Sequence, residues 1–339
     1  MAPSPTQLVE VANGVFACLQ PDGSWGLSNA GLIVGHEDRL LVDTFFDLPR
    51  TSTLLDQLRR ASEFDPVATV VVNTHTNGDH CYGNALLSDR RIIASSRAAR
   101  ELADMPAAKF SKLMLVARAL TGLGPGRKAL RALMQALHIP IGVDFVDAAP
   151  YVLSIFGTFE FQGIPLVPPS ETFTGSLELN LGGRKIALLE LGPAHTEGDI
   201  VAFDTETRTL FAGDLLFMGC HPLAWSGTPE NCIAALTRLL ELDPLAVVPG
   251  HGPVTNRVGI EDHVAYFRAL RDECRPLFEE GVNAEAAAQR LMMKGFGARA
   301  LPERLFVNVE AAYREFSPAR KRVHVLNSMG AMARLAGMA

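Results

Sequence analysis

The segment Val67-Ala-Thr-Val-Val-Val72-Asn-Thr-His75-Thr-Asn77-Gly-Asp79-His80 decides the reading of this chain. Its first six residues are apolar or β-branched, which predicts a buried strand. At the strand's carboxyl end the chain enters a polar turn in which His75, Asp79 and His80 fall within six residues. A tight turn containing Gly78 folds such groups toward one point, which is what a metal ion needs.

Three further loops repeat the design. His195 lies in Gly192-Pro-Ala-His-Thr-Glu-Gly-Asp199, Asp214 in Phe211-Ala-Gly-Asp-Leu215, and His251 in Val248-Pro-Gly-His-Gly-Pro253. Each follows a strand-like run and is flanked by Gly or Pro, which lets backbone and metal approach.

The runs themselves are Gly31–Val34, Leu40–Asp43, Arg91–Ala94, Leu177–Leu181, Lys185–Leu189, Ile200–Phe203, Thr209–Ala212 and Ala246–Pro249. Between the second and the His75 strand, Thr51–Ala61 places Leu54, Leu55 and Leu58 on one helical face. Gly182-Gly183 and Asp204–Thr207 read as hairpin turns. Two strand-rich halves, each with helices, predict an α+β chain whose sheets pack face to face.

Two segments break this rhythm. Residues 97–147 read as helices, with Leu113, Val116 and Leu120, then Leu130, Leu133 and Leu137, at helical spacing. From Glu261 onward the chain is largely helical, and the apolar turns from Val323 to Ala339 suit docking on the core or in a homodimer.

At 339 residues the chain has room for roughly two domains. A net charge of −6 argues against a nucleic-acid partner. Five scattered cysteines form neither a disulfide framework nor a CxxC module, and their odd number suits a reducing compartment. The opening MAPSPTQLVE has neither a basic n-region nor an apolar h-region, so a cytoplasmic protein without stable membrane insertion is expected.

Together the four loop motifs resemble the metallo-β-lactamase superfamily, over most of the chain from Val15 to about Phe267. The resemblance implies an αββα sandwich whose loops hold one or two metal ions in a groove between sheet edges. On this chain it implies a catalytic domain at 8–270 with a helical lid inserted at about 97–147, and a helical extension at 271–339. His75 and His195 would bind the first metal. Asp79, His80 and His251 would bind the second, and Asp214 would bridge them. Asp43 matches an acid that orients the metal loops. Asn77 stands where the family's HxHxDH pattern has its second histidine, and as a metal ligand its amide oxygen would be weaker than imidazole and uncharged. Three arrangements follow: two zinc ions with the first held loosely, one metal in the second site, or a different metal such as iron or manganese.

A divalent ion lowers the pKa of bound water from 15.7 to roughly 7 and polarises a carbonyl. In the family, the residue matching Asp79 often takes or gives the proton. The expected activity is hydrolysis of an activated acyl bond, a thioester or lactone, by metal-bound hydroxide acting on a small-molecule, carrier-linked or free substrate. Asp214 itself resembles the thioesterase, lactonase and glyoxalase II branches, since true β-lactamases usually carry Cys or Ser there. Gly14–Trp25 with Asn29-Ala-Gly31, and Gly213–Phe217 with His221-Pro222 and Trp225, resemble a bacterial branch that includes cyclase/thioesterases of aromatic polyketide assembly. On that likeness Trp25, His221 and Trp225 are candidate substrate-binding residues. The alternatives are a β-lactam hydrolase, an iron sulfur dioxygenase using His75, His195 and Asp214, and a non-catalytic binding module.

From Met105 to Pro140 there are six basic residues and no acid. The expectation for this lid is an acyl pocket lined by Leu113, Met114, Leu120, Leu133 and Met134. Lys109, Lys112, Arg127, Lys128 and Arg131 would face an anionic carrier such as acyl carrier protein or coenzyme A.

Overall fold

Period-two alternation builds the molecule. The computed structural model describes residues 6–20, 23–63, 68–138 and 143–338. Val67, Asp22 and Pro140, each part of a stretch read above, lie outside the described residues. The first sheet takes β1 (Gln7–Ala12), β2 (Val15–Leu19), β3 (Ala30–Val34), β4 (Arg39–Val42), β5 (Val70–Val72), β6 (Arg91–Ser95) and β7 (Glu171–Phe173) in chain order. It is antiparallel as far as β4 and parallel beyond it. The second sheet runs β12 (Ala246–His251), β11 (Thr209–Phe217), β10 (Ile200–Asp204), β9 (Arg184–Glu190) and β8 (Ser176–Leu181).

Successive strand residues point to opposite faces. Val15, Ile33, Leu40, Val42, Val70, Val72 and Ile93 therefore meet Ile186, Leu188, Ile200, Ala202, Phe211 and Val248 in a core between the sheets. The alternate residues Leu32, Leu41, Val71 and Ile92 pack outward on Leu54 and Leu58 of α1 (Leu48–Ser62). On the far side Val201, Leu210, Ala212 and Val247 pack on α7 (Pro229–Glu241) and α8 (Arg257–Glu279). The order is helix, sheet, sheet, helix, as expected. Arg184 ties the two sheets: its guanidinium pairs with Asp204 at 2.6 Å and donates to Val34 O at 2.8 Å and Asn13 O at 3.2 Å.

Gly78–Cys81 form a short α2, and the insertion is α3 (Ser96–Leu102), α4 (Ala107–Gly122), α5 (Gly126–Ala136) and α6 (Val143–Phe156). Its helical part reaches Phe156, past residue 147, because burial of Tyr151, Val152 and Phe156 outweighs the backbone bond that Pro150 removes. The C-terminal part adds α9 (Ala284–Met293), α10 (Leu305–Phe316) and α11 (Val325–Leu335). Met329, Ala331, Met332 and Ala333 bury α11 on the chain's own core. Arg334 clamps it to Glu285 at 2.7 Å and to Asp144 at 3.0 Å. No described helix is long and apolar enough to cross a membrane.

Candidate metal centre and cavity

All the motif loops leave their strands at the same end of the sandwich. β5 delivers His75, and the turn of α2 carries Asp79 and His80. Asn77 is the N-cap residue of that turn but makes no cap hydrogen bond; its Nδ2 lies 2.8 Å from His195 Nε2 instead. The His195 loop is stapled by Asp199, which accepts from Ala194 N, Thr196 N and Thr196 Oγ1. β11 runs on past Ala212 to Phe217, and its pairing register shifts around Gly213, an irregularity of the kind that re-aims a side chain, here Asp214. His251 ends β12 beside Gly250, where a Cβ would overlap Asp214 Oδ1.

Asp214 sits at the centre. Its Oδ1 is 3.1 Å from His80 Nε2, and its Oδ2 is 3.2, 3.5 and 3.8 Å from the Nε2 atoms of His195, His251 and His75. Asp79 Oδ2 lies 3.5 Å from His251 Nε2 and 4.0 Å from His80 Nε2. His75, His80 and Asp214 form one group able to hold a cation, and Asp79, His80 and His251 form another.

The opposite edge of each imidazole is committed. His80 Nδ1 donates to Asp43 Oδ2 at 2.9 Å, His75 Nδ1 to Thr74 Oγ1 at 3.1 Å, His195 Nδ1 to Leu223 O at 2.7 Å, and His251 Nδ1 to Leu27 O at 3.1 Å. With Nδ1 as the donor, each ring turns an Nε2 lone pair toward Asp214, the tautomer that a metal ligand needs. His75 Nε2, His80 Nε2 and Asp214 Oδ1 are buried and make no hydrogen bond. Orphaned donor atoms of this type, converging in one place, fit a divalent cation of the zinc class.

Electrostatics divide the imidazoles: against burial, the Asp214 carboxylate pushes His80 and His251 above the ordinary imidazole value. Burial would raise the Asp214 carboxyl, but the surrounding His251, His80, His195 and His75 hold it well below the usual carboxylate range. Burial and the charge of His80 keep His75 well below the ordinary imidazole value. Asp43 does what the resemblance implied for it, receiving Thr74 N and Thr74 Oγ1 at 2.7 Å each while it orients His80.

The profile of the metallo-beta-lactamase superfamily matches residues 23–251, two thirds of this sequence. The chain belongs to the metallo-beta-lactamase superfamily. Among solved structures, the metallo-beta-lactamase from Pontibacter korlensis superposes with a TM-score of 0.54 at 15% identity, over 78% of this chain and 99% of that one. The metallo-beta-lactamase FIM-1 from Pseudomonas aeruginosa, in a mono-zinc form, gives 0.51 at 17% identity, over 78% and 96%. Likeness at these identities is one of fold. No curated protein sequence matches the chain.

The superfamily match ends at His251, whereas the cavity above the metal centre does not. That cavity has a volume of about 670 Å³. Asn77, Asp79, His195, Asp214 and His251 form its floor, Trp25, Phe46, Phe110, Leu113 and Phe156 one apolar side, and Trp225, Val307, Leu326 and Met329 another. Trp25 and Trp225 thus reach the cavity. His221 does not: it is fully buried and bonded to Tyr266 Oη and Phe296 O, and its own carbonyl accepts from Arg304. Within the lid, Leu113 and Lys109 line the cavity, Met114 is buried in the core, and Leu133 is 56% exposed. Leu120, Leu133 and Met134 do not line the cavity: Leu120 on α4 packs against the core, and Leu133 and Met134 belong to α5, which buries none of its residues. Arg131 pairs with Asp147 rather than standing free. Arg304, Arg314 and Met329 were missed in the sequence, because nothing local marks a residue of a distant helix as part of this wall.

Proposed function

We propose that this superfamily member is a metal-dependent hydrolase of activated acyl bonds, with a thioester or a lactone as substrate and zinc as the metal. The pre-set tautomers of four imidazoles around Asp214 carry this reading. His75, His195 and Asp214 would hold one cation, with Asn77 beside them. Asp79, His80 and His251 would hold a second, with Asp214 shared. When bound, the cation supplies a Lewis acid toward the acyl carbonyl and a water of lowered pKa.

The remaining work falls to the chain. Asp214 has both oxygens turned to imidazoles, whereas Asp79, 13% exposed on the cavity floor, turns Oδ2 to His80 and His251 and keeps its other oxygen to orient water. Asp79 takes the proton from the attacking water and hands it to the leaving group. Trp25, Phe46, Phe110 and Trp225 hold the acyl group and exclude bulk water. The domain that does this spans 8–270, the helices of 271–339 close its cavity, and the five buried free cysteines suit the cytoplasm.

The test is elemental analysis of protein purified without added metal, beside an Asp79→Ala, His251→Ala double variant, followed by assays on a thioester, a lactone and a β-lactam. About two zinc per chain, falling in the variant, with zinc-dependent cleavage of the thioester or lactone, is expected. Cleavage of the β-lactam alone overturns the substrate class. A chain that takes up no metal overturns the hydrolase.

A further inference from the structure

Arg304 is 1% exposed and lines the cavity, yet among the described residues no carboxylate forms an ion pair with it. Its Nη1 donates to two neutral acceptors, Cys220 Sγ at 3.4 Å and His221 O at 3.1 Å, and its Nε has no partner. The guanidinium lies over the Trp25 ring at 4.5 Å and near the Phe217 ring at 5.5 Å. The neighbouring Glu303 forms no ion pair with it; that carboxylate accepts from Tyr151 Oη.

Other cations show what is missing. Buried Arg184 has Asp204, and at the cavity mouth Arg322 has Glu197 while Lys109 holds Asp104 O. Arg314 is half-buried and rests on Trp225 O and Gly227 O. A charge taken out of water without a counter-ion is costly, and a planar guanidinium receives a carboxylate in two parallel hydrogen bonds.

We propose that Arg304 is the recognition point for a free carboxylate on the substrate, so that the enzyme acts on apolar acyl compounds carrying a second, ionised carboxyl group. This rests on the cavity being the substrate site of the proposed hydrolase. The geometry sets the span. The Phe217 ring is 5.5 Å from the Arg304 guanidinium, stacks on His251 at 5.0 Å and 5° and is 5.6 Å from His195, so Arg304 and the metal histidines share one neighbour. The scissile carbonyl and the carboxylate therefore belong to one compact substrate, with its hydrophobic part against Trp25, Phe46 and Phe156. Arg304 also lies beyond residue 251, outside the part of the chain that matches the superfamily.

The probes are 4-phenylbutyrate and its uncharged amide, titrated by calorimetry into metal-free and zinc-loaded protein. The acid is expected to bind metal-free protein at least tenfold more tightly than the amide. That preference should fall below twofold in Arg304→Met and survive in part in Arg304→Lys. Should Arg304→Met not fold, Arg304→Lys is read in a Trp225→Phe background, where Trp25 is the remaining indole and its emission reports the anion beside it. Equal binding of acid and amide overturns the proposal. So does a preference that persists in Arg304→Met, which places the anion on Arg314, or one that appears only with zinc, which places it on the metal. The acid-to-amide ratio needs no turnover, so a failed hydrolysis assay sinks the proposed activity and leaves this ratio to be judged by itself.

Discussion

At the scale of single residues, the centre depends on groups that never touch a metal. Asp43 occupies the left-handed region at φ 62°, where Asn is tolerated, so Asp43→Asn keeps the backbone and removes one acceptor. With one oxygen its amide cannot receive Thr74 N on one side and His80 Nδ1 with Thr74 Oγ1 on the other. Metal affinity is expected to fall 10–100-fold, measured by competition with a chelator, while the circular dichroism stays native. Gly250→Ala should act more directly, pushing a methyl into Asp214 Oδ1 and the Gly213 backbone; the expected result is loss of bound metal in elemental analysis together with a lower melting temperature. The residues that face the metal were legible because a metal needs imidazole and carboxylate groups on short turns, and such groups cluster in sequence. Their anchors were mostly not. Leu27 O and Leu223 O are backbone carbonyls that any side chain could accompany.

At the scale of elements, hydrophobic period proved a good guide to type and a poor one to direction. β3 to β6 and β10 to β12, buried on both faces, follow continuous apolar runs, and β8 and β9 show the alternation of strands with one exposed face. β1, with Gln7 and Glu10 among its six residues, offered no such run. The stripes of α4 and α5 announced helices, yet Val116, Leu133 and Leu137 are 47%, 56% and 62% exposed, because period says which residues share a face and not what covers it. One link between elements is sensitive to acid. On α8, His263 accepts from Phe217 N at 3.1 Å and donates to Gly259 O at 2.9 Å, and burial pushes its pKa down to about 4. The unfolded chain takes up this proton near pH 6.5, the folded chain only near 4. The contribution is therefore whole above pH 6.5 and is lost as pH falls through that window, at most about 3 kcal/mol. Urea midpoints between pH 7 and 4 should drop, and His263→Gln should show a flatter profile; equal slopes would remove His263 from the account.

At the scale of the molecule, two ties hold the layers together. Arg184→Met leaves Asp204 ionised and buried between the sheets, and a loss of about 3–5 kcal/mol in urea unfolding is expected. Removing the chain from Val325 onward takes away Leu326 and Met329 from the cavity wall and the Arg334 clamp from α6 and α9. The truncated protein should melt lower, bind a hydrophobic dye and lose preference among acyl chains, whereas a tail that serves only solubility would change none of these.

The order of the chain adds a temporal dimension. All the imidazoles and carboxylates around Asp214 are in place once His251 has been made, while Arg304 and the residues from Val307 to Met329 that roof the cavity come later. The ligand loops can therefore fold before the roof exists, and the C-terminal helices narrow the approach to them afterwards. A chain lacking those helices should give up a bound cation to a chelator faster than the full chain, whose cavity opens only past Lys109 and Arg322.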